Sequence, residues 1–238
     1  MTTATLEAAP ASAAAATPMS VSDAVLSRRS IRAFKDTPVP LEVLRRIMDK
    51  ARWAPSGCNF QPWEATILTG EPLRELQEKI LAARPQEPIE YSFSDPEVIP
   101  ECKARLQAVG AAMYTAMDIA RSDKDARLEF LHKNARSFGA PALLVCYMDR
   151  RNSAPQWSDT GMWLQTIMLL AREEGLDTCP QEFMSLYARL IKEHIGVSDE
   201  SHILFCGIAI GYREEDDAVN NFPRERVAVD GHVRFMGF

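Results

Sequence analysis

Arginines, a serine and two side-chain amides, spread over three distant segments, set the chemistry this sequence is equipped for. Ser27-Arg28-Arg29-Ser30-Ile31-Arg32 is the first. On an extended backbone Arg28, Ser30 and Arg32 fall on one side, and guanidinium forks with a hydroxyl match the oxygens of a phosphate. Alone, that stretch reads first as a solvated basic surface. The second segment is Pro55-Ser56-Gly57-Cys58-Asn59-Phe60-Gln61-Pro62-Trp63. Two prolines stiffen it, Gly57 lets another group approach the backbone, and Asn59 and Gln61 carry amides that both donate and accept. Such amides suit the edge of a pyrimidine ring or a ribityl chain, and the mixture is too unusual for a generic turn. The third segment, Asn221-Phe222-Pro223-Arg224-Glu225-Arg226, again spaces two arginines by two; a salt-bridged surface tail is its alternative. Together the three describe recognition of a phosphorylated planar heterocycle.

The elements that must position these groups follow from pattern and punctuation. Ser22 is the expected N-cap of a short helix reaching Leu26. After the turn at 36–40, the spacing of Leu41, Leu44, Ile47, Met48 and Ala51 predicts a helix that stops near Trp53, before Pro55. Strands are expected over 64–68, 142–148 and 203–210, and helices over 73–81, 101–121, 125–134, 156–174 (ended by Gly175) and 186–195. Residues 84–100 hold four prolines and no glycine, with Tyr91 and Phe93 at the centre; this is a long loop or broken helical flap. The two longest helices carry apolar residues on more than one face, which predicts burial on both sides. The tail, 219–238, alternates apolar and polar residues and is expected to be extended.

Several chemistries are excluded. The chain contains no G-x-G-x-x-G, P-loop, G-x-S-x-G or H-E-x-x-H motif, and its four histidines lack ligand spacing, so no metal site is expected. In 238 residues, 27 Lys and Arg face 33 Asp and Glu, a net charge of −6 that argues against nucleic-acid binding. The apolar share of 46 % supports one sizeable folded domain over residues 21–238. Residues 1–20 are rich in Ala, Thr, Ser and Pro and are expected to form a disordered arm. No apolar run is long enough to span a membrane. The five scattered cysteines form no C-x-x-C pair, and no Lys or Arg precedes Arg28; a cytoplasmic location is expected. With no nucleophile–base pair in evidence, an enzyme of this kind borrows its chemistry from a cofactor.

Arg28-Arg29-Ser30-Ile31-Arg32-Ala33-Phe34, Ala54 through Trp63, the helix from Asp159 to Gly175-Leu176, and Gly207 to Tyr212 followed by Arg224 and Arg226 occur in one order over 21–238. In this the sequence resembles the FMN-dependent nitroreductase family. The resemblance implies an α+β, three-layer α/β/α fold with a central mixed, largely antiparallel sheet. It implies a homodimer in which residues 219–238 wrap the partner subunit and add a strand there. It places Arg28, Arg29, Ser30, Arg224 and Arg226 at the FMN phosphate, Arg32 at the flavin N1/O2 edge and Asn59 at the isoalloxazine or ribityl side. Pro55 and Ser56 would line the site from the partner subunit. Pro180, Gln181 and Glu182 would run along the flavin face, with a backbone N–H near Glu182 directed at N5. Phe183 stands where many relatives have glycine, and Cys58 where small hydroxyl residues are common. The implied activity is ping-pong reduction of a small nitroaromatic acceptor, with NADPH or NADH delivering hydride to flavin N5. Residues 84–100 would then select substrates, with Tyr91 and Phe93 as stacking groups; a plain solvent loop is the equal alternative. Same-fold reduction of quinones or other activated aromatics, reductive dehalogenation, and a flavin store without turnover are the competing readings.

Overall fold

The computed structural model describes residues 19–238. Four strands form one sheet in the order β1-β2-β4-β3: β1 (Glu64–Thr69), β2 (Ala142–Asp149), β3 (Asp177–Gln181) and β4 (His202–Gly211). Every neighbouring pair of strands is antiparallel. The parallel element is an isolated bridge between Ser30 and Thr178 at the β3 edge.

The two-residue period of β2 divides the core. Ala142, Leu144 and Cys146 face α2 (Leu41–Ala51) and α6 (Ala154–Glu173), packing with Leu44, Ile47, Trp163, Leu164 and Ile167. Leu143, Val145 and Tyr147 face α3 (Gly70–Ala82) and α7 (Ala188–His194), packing with Leu76, Ile80 and Ile191. Each of these buried aliphatic side chains contributes about 1.5–3 kcal/mol of transfer free energy. A third cluster, with Ile31, Phe34, Phe130, Phe138, Cys179 and Ala209, covers the β3 end. Helices therefore lie on both faces of the sheet, the expected α+β three-layer arrangement.

Most predicted elements are present, with several corrections. Ser20, not Ser22, caps α1 (Val21–Ser27): its hydroxyl accepts from the Asp23 amide at 3.1 Å. The rest of the expected arm, residues 1–18, lies outside the described residues. Strand β3 was not expected; it holds Pro180 at the sheet edge, pairing with β4 on one side and meeting only the Ser30 bridge on the other. Helix α4 (Pro100–Ala116) ends five residues early, where Met117 caps it and Asp118 turns left-handed at φ 55°. It buries no residue, and Leu106 and Val109 are exposed, so burial on both sides does not hold within one chain. In α6 the buried residues, from Asp159 to Ala171, lie toward the core while Met162 is exposed.

The tail is helical at α8 (Ala218–Asn221), makes one 3-10 turn at Val229–Gly231, and forms no strand in its own chain. Phe235, Met236 and Phe238 are exposed.

Candidate functional site

The arginine segment leaves α1 at Arg28 in extended geometry (φ −60°, ψ 130°). The Ile31 amide donates to the Thr178 carbonyl at 3.0 Å, and the Ile31 side chain is fully buried. That anchors the segment along the β3 edge, with Ser30 in the bridge to Thr178. The tail closes over it. Arg224 donates to the carbonyls of Arg28 and Leu26, and Arg29 donates to the Phe222 carbonyl while its guanidinium stacks on the Phe222 ring at 5.5 Å. Asn220, almost fully buried, completes the seam: its Oδ1 accepts from the Arg32 amide at 2.8 Å, and its Nδ2 donates to Ala33 and Glu214.

Electrostatics show what this closure costs. Burial pushes the Arg28 pKa down, and the nearby Arg226 charge lowers it further. Arg29 is lowered by burial and by Arg213. Arg224 is lowered by burial and then by Arg28, Arg29, Arg226 and Arg213. No carboxylate offsets any of the three. The nearest buried acid, Asp177, is engaged by Arg213 through a bidentate pair (2.7 and 2.5 Å) and by Arg172 at 2.8 Å. Like charges held together while partly desolvated favour an anion among them. Arg213 was not expected from the sequence; its only signal was a position two residues beyond β4.

Arg28 and Arg32 both bear on Cys179 of β3. Burial raises that thiol to about 11, while the two guanidinium charges oppose the rise. At the end of β3, Pro180 and Glu182 are exposed. Gln181 is buried: its Nε2 donates to the Asn134 carbonyl at 3.0 Å and to Asn134 Oδ1 at 3.1 Å, and its Oε1 has no partner. Phe183 packs on Tyr187 at 5.4 Å.

The amide-bearing loop lies elsewhere. Residues Gly57–Asn59 make a 3-10 turn, and Cys58, Asn59 and Gln61 all have positive φ (51°, 58° and 49°). Two bonds hold this strained path. The Ser56 hydroxyl accepts from the Gln61 amide at 3.0 Å, and both carboxylate oxygens of buried Asp159 accept from the Gly57 amide at 3.2 Å. Pro55 and Asn59 are exposed, and among the described contacts neither they nor Ser56 touch the arginine cluster. One chain thus gathers Arg28, Arg29, Ser30, Arg32, Arg224 and Arg226, with no described contact from Pro55, Ser56 or Asn59 to them.

In the 84–100 segment, Tyr91 is half-buried and packs against Phe93, Trp157 and Phe205 at 5.5, 5.2 and 6.1 Å between ring centres. Its hydroxyl donates to the Phe205 carbonyl at 2.6 Å, and burial raises its pKa. Phe93 is 40 % exposed. Sequence reasoning missed the acid beside them: the Glu90 side chain is 1 % exposed and paired with Lys192, itself fully buried.

Among the described residues no group of three or more His, Cys, Asp or Glu is arranged to hold a metal, and no helix is long and apolar enough to cross a membrane.

Comparison with known proteins supplies the context. The Nitroreductase family profile matches residues 25–212. The chain is 36 % identical over 217 residues to a 4-nitrobenzoate reductase of Pseudomonas putida, covering 90 % of this chain and 94 % of that one. Among solved structures it is similar to the FMN and NADPH-dependent nitroreductase NfnB from Sphigopyxis sp. strain HMH, at 41 % identity and a TM-score of 0.88, covering 92 % of this chain and all of that one. The FMN-dependent nitroreductase NfnB from Mycobacterium smegmatis, in complex with NADPH, is 28 % identical with a TM-score of 0.86, covering 91 % and 97 %.

Proposed function

The chain belongs to the nitroreductase family, and on that premise we propose that it is an FMN-dependent oxidoreductase that uses NADPH to reduce small nitroaromatic compounds. The observation that carries this reading is the set of partly desolvated arginines without a carboxylate partner. A phosphomonoester, carrying about two negative charges, offsets them. The fit is local, as a chain of net charge −6 requires.

Arg28, Arg29, Arg224 and Arg226 would grip the phosphate, with Ser30 as a neutral donor. Arg32 would lend positive charge to the electron-rich edge of the ring system. Pro180, Gln181 and Glu182 would flank its face, with Gln181 held from behind by Asn134. When bound, FMN supplies the transfer of hydride from the nicotinamide and its delivery to the nitro group. The protein binds, orients and keeps water away; no side chain is required as an acid.

The homodimer belongs to the same proposal. Helix α4 has no fully buried residue in its own chain, Phe235 and Phe238 are exposed, and no described contact joins the loop of Pro55, Ser56 and Asn59 to the arginines of the same chain. A second copy would cover those apolar surfaces and offer its loop to this site. Tyr91 and Phe93 would form the wall beside the acceptor. Cytoplasmic residence fits three buried free thiols.

Steady-state turnover of the FMN-loaded protein tests the proposal. NADPH oxidation should depend on a nitroarene and exceed that with NADH or with a quinone. Turnover of quinones or haloarenes alone would move the chain to another activity on the same fold, and bound FMN that NADPH cannot reduce would identify a flavin store.

A further inference from the structure

The segment 84–100 is clamped at its first half and open at its second. The Gln86 amide donates to the Leu186 carbonyl at 2.8 Å, the Arg189 amide donates to Gln86 Oε1 at 2.8 Å, and the Arg189 side chain donates to the Glu87 carbonyl at 2.7 Å. The strongest attachment is ionic. Lys192 Nζ, on α7, reaches Glu90 Oε1 and Oε2 at 3.1 and 3.2 Å, Asp199 Oδ1 at 2.5 Å and the His202 carbonyl at 2.9 Å. Arg150 adds a bond to Glu90 at 2.7 Å and one to Asp199 at 3.3 Å. Two cations thus meet two carboxylates at the root of Tyr91. Beyond it, Phe93, Val98 and Ile99 are exposed.

Burying such charges contributes little net stability, because desolvation consumes the Coulomb gain. What a buried pair does enforce is a single arrangement, since any other leaves a charge unpaired in the interior. Glu90 immediately precedes Tyr91, whose hydroxyl is spent on the Phe205 carbonyl and whose ring is wedged between Trp157 and Phe93. Shifting Glu90 by one residue would withdraw it from Lys192 and turn Tyr91 out of that aromatic cluster.

We propose that the Lys192–Glu90 pair is the clamp that fixes the Tyr91 wall, so that Lys192 is a positioning residue for acceptor selectivity although it touches neither cofactor nor acceptor. This rests on the reading of Tyr91 as part of the acceptor wall.

The test uses the FMN-loaded protein with NADPH and two acceptors, compact nitrobenzene and bulky 4-nitrobiphenyl. Lys192→Met leaves Glu90 and Asp199 to share Arg150 alone; the paired variant Glu90→Gln/Lys192→Met removes the excess charge and carries the test if the single variant does not fold. The paired variant should keep its FMN and its rate of flavin reduction by NADPH. Its ratio of kcat/KM for the two acceptors should shift by about tenfold, mainly through KM. Tyr91→Leu should shift the ratio the same way, and combining the changes should add nothing more. A paired variant with the wild-type ratio, or one whose shift adds independently to that of Tyr91→Leu, overturns the clamp alone. A Tyr91→Leu variant with unchanged selectivity overturns the wall reading and the clamp with it.

Discussion

The guanidinium of Arg224 donates to the main-chain carbonyl of Arg28, a residue 196 positions earlier. Through this bond and that from Arg29 to Phe222, residues 222–224 close over residues 28–29 and bring Arg28, Arg29, Arg224 and Arg226 together.

If those arginines hold a phosphate, Arg28→Ala should weaken FMN binding by about 1.5–3 kcal/mol, roughly 10- to 150-fold. Riboflavin, which lacks the phosphate, should bind variant and wild type equally. Titration of cofactor-free protein with both flavins measures the difference; equal losses for the two would remove the phosphate from the cluster.

Gly207 is a packing position. A Cβ there would lie 2.8 Å from Met184 Cγ and 3.0 Å from Leu143 Cδ1, both in the core between β4 and α7. Gly207→Ala should destabilise the fold by about 1–3 kcal/mol in urea denaturation. An unchanged midpoint would show that Met184 moves aside at no cost.

The Lys192 ammonium holds the Asp199 carboxyl below its ordinary 3.8. The folded chain therefore binds fewer protons than the unfolded one as this group titrates. Its stabilising share is complete above 3.8 and declines as pH falls through the lower native value. Asp199→Asn should flatten the fall in stability below about pH 4. Denaturation followed across acidic pH reads the slope, and identical slopes would contradict the pairing.

Burial raises the thiols of Cys146, Cys179 and Cys206, Cys179 to about 11 and Cys206 to about 12. Thiolate is the reactive form, so these three should resist a disulfide reagent until the protein unfolds. At most Cys58 and Cys102 should react in the native state. A third fast thiol would show that the core opens readily.

Local signals in the sequence were read correctly where one feature decided the outcome. Leu44, Ile47 and Ala51 recur at helical spacing, and Gly175, at φ 76°, ends α6 where a left-handed residue is needed. The uniformly apolar run of β2 could only be a central strand. Errors arose where neighbours decide. Strand β3 was missed; it holds Pro180, which its edge position accommodates. Helix α4 was drawn too long because Met117 and Asp118 carry no breaker; the chain turns left-handed at Asp118, and the Ile119 amide bonds back to the Tyr114 carbonyl at 2.9 Å.

The site followed the same division. Arg28, Ser30 and Arg226 stood out by type and spacing. The partners that place them did not: Arg213 is recognisable only beside buried Asp177, and Asn220 only where its amide meets Ala33 and Glu214. Lys192 and Glu90 are 102 residues apart and have no shared pattern. Tyr91 was expected as a stacking group; the bond from its hydroxyl to the Phe205 carbonyl was not legible in the sequence.

Anaerobic titration of the purified, FMN-reconstituted protein addresses the central claim most directly. The protein should be yellow, lose its colour on stoichiometric NADPH and regain it when a nitroarene is added, with the reduced product appearing in step. A chain that takes up no FMN, or a bound flavin that stays yellow with NADPH, would contradict the account.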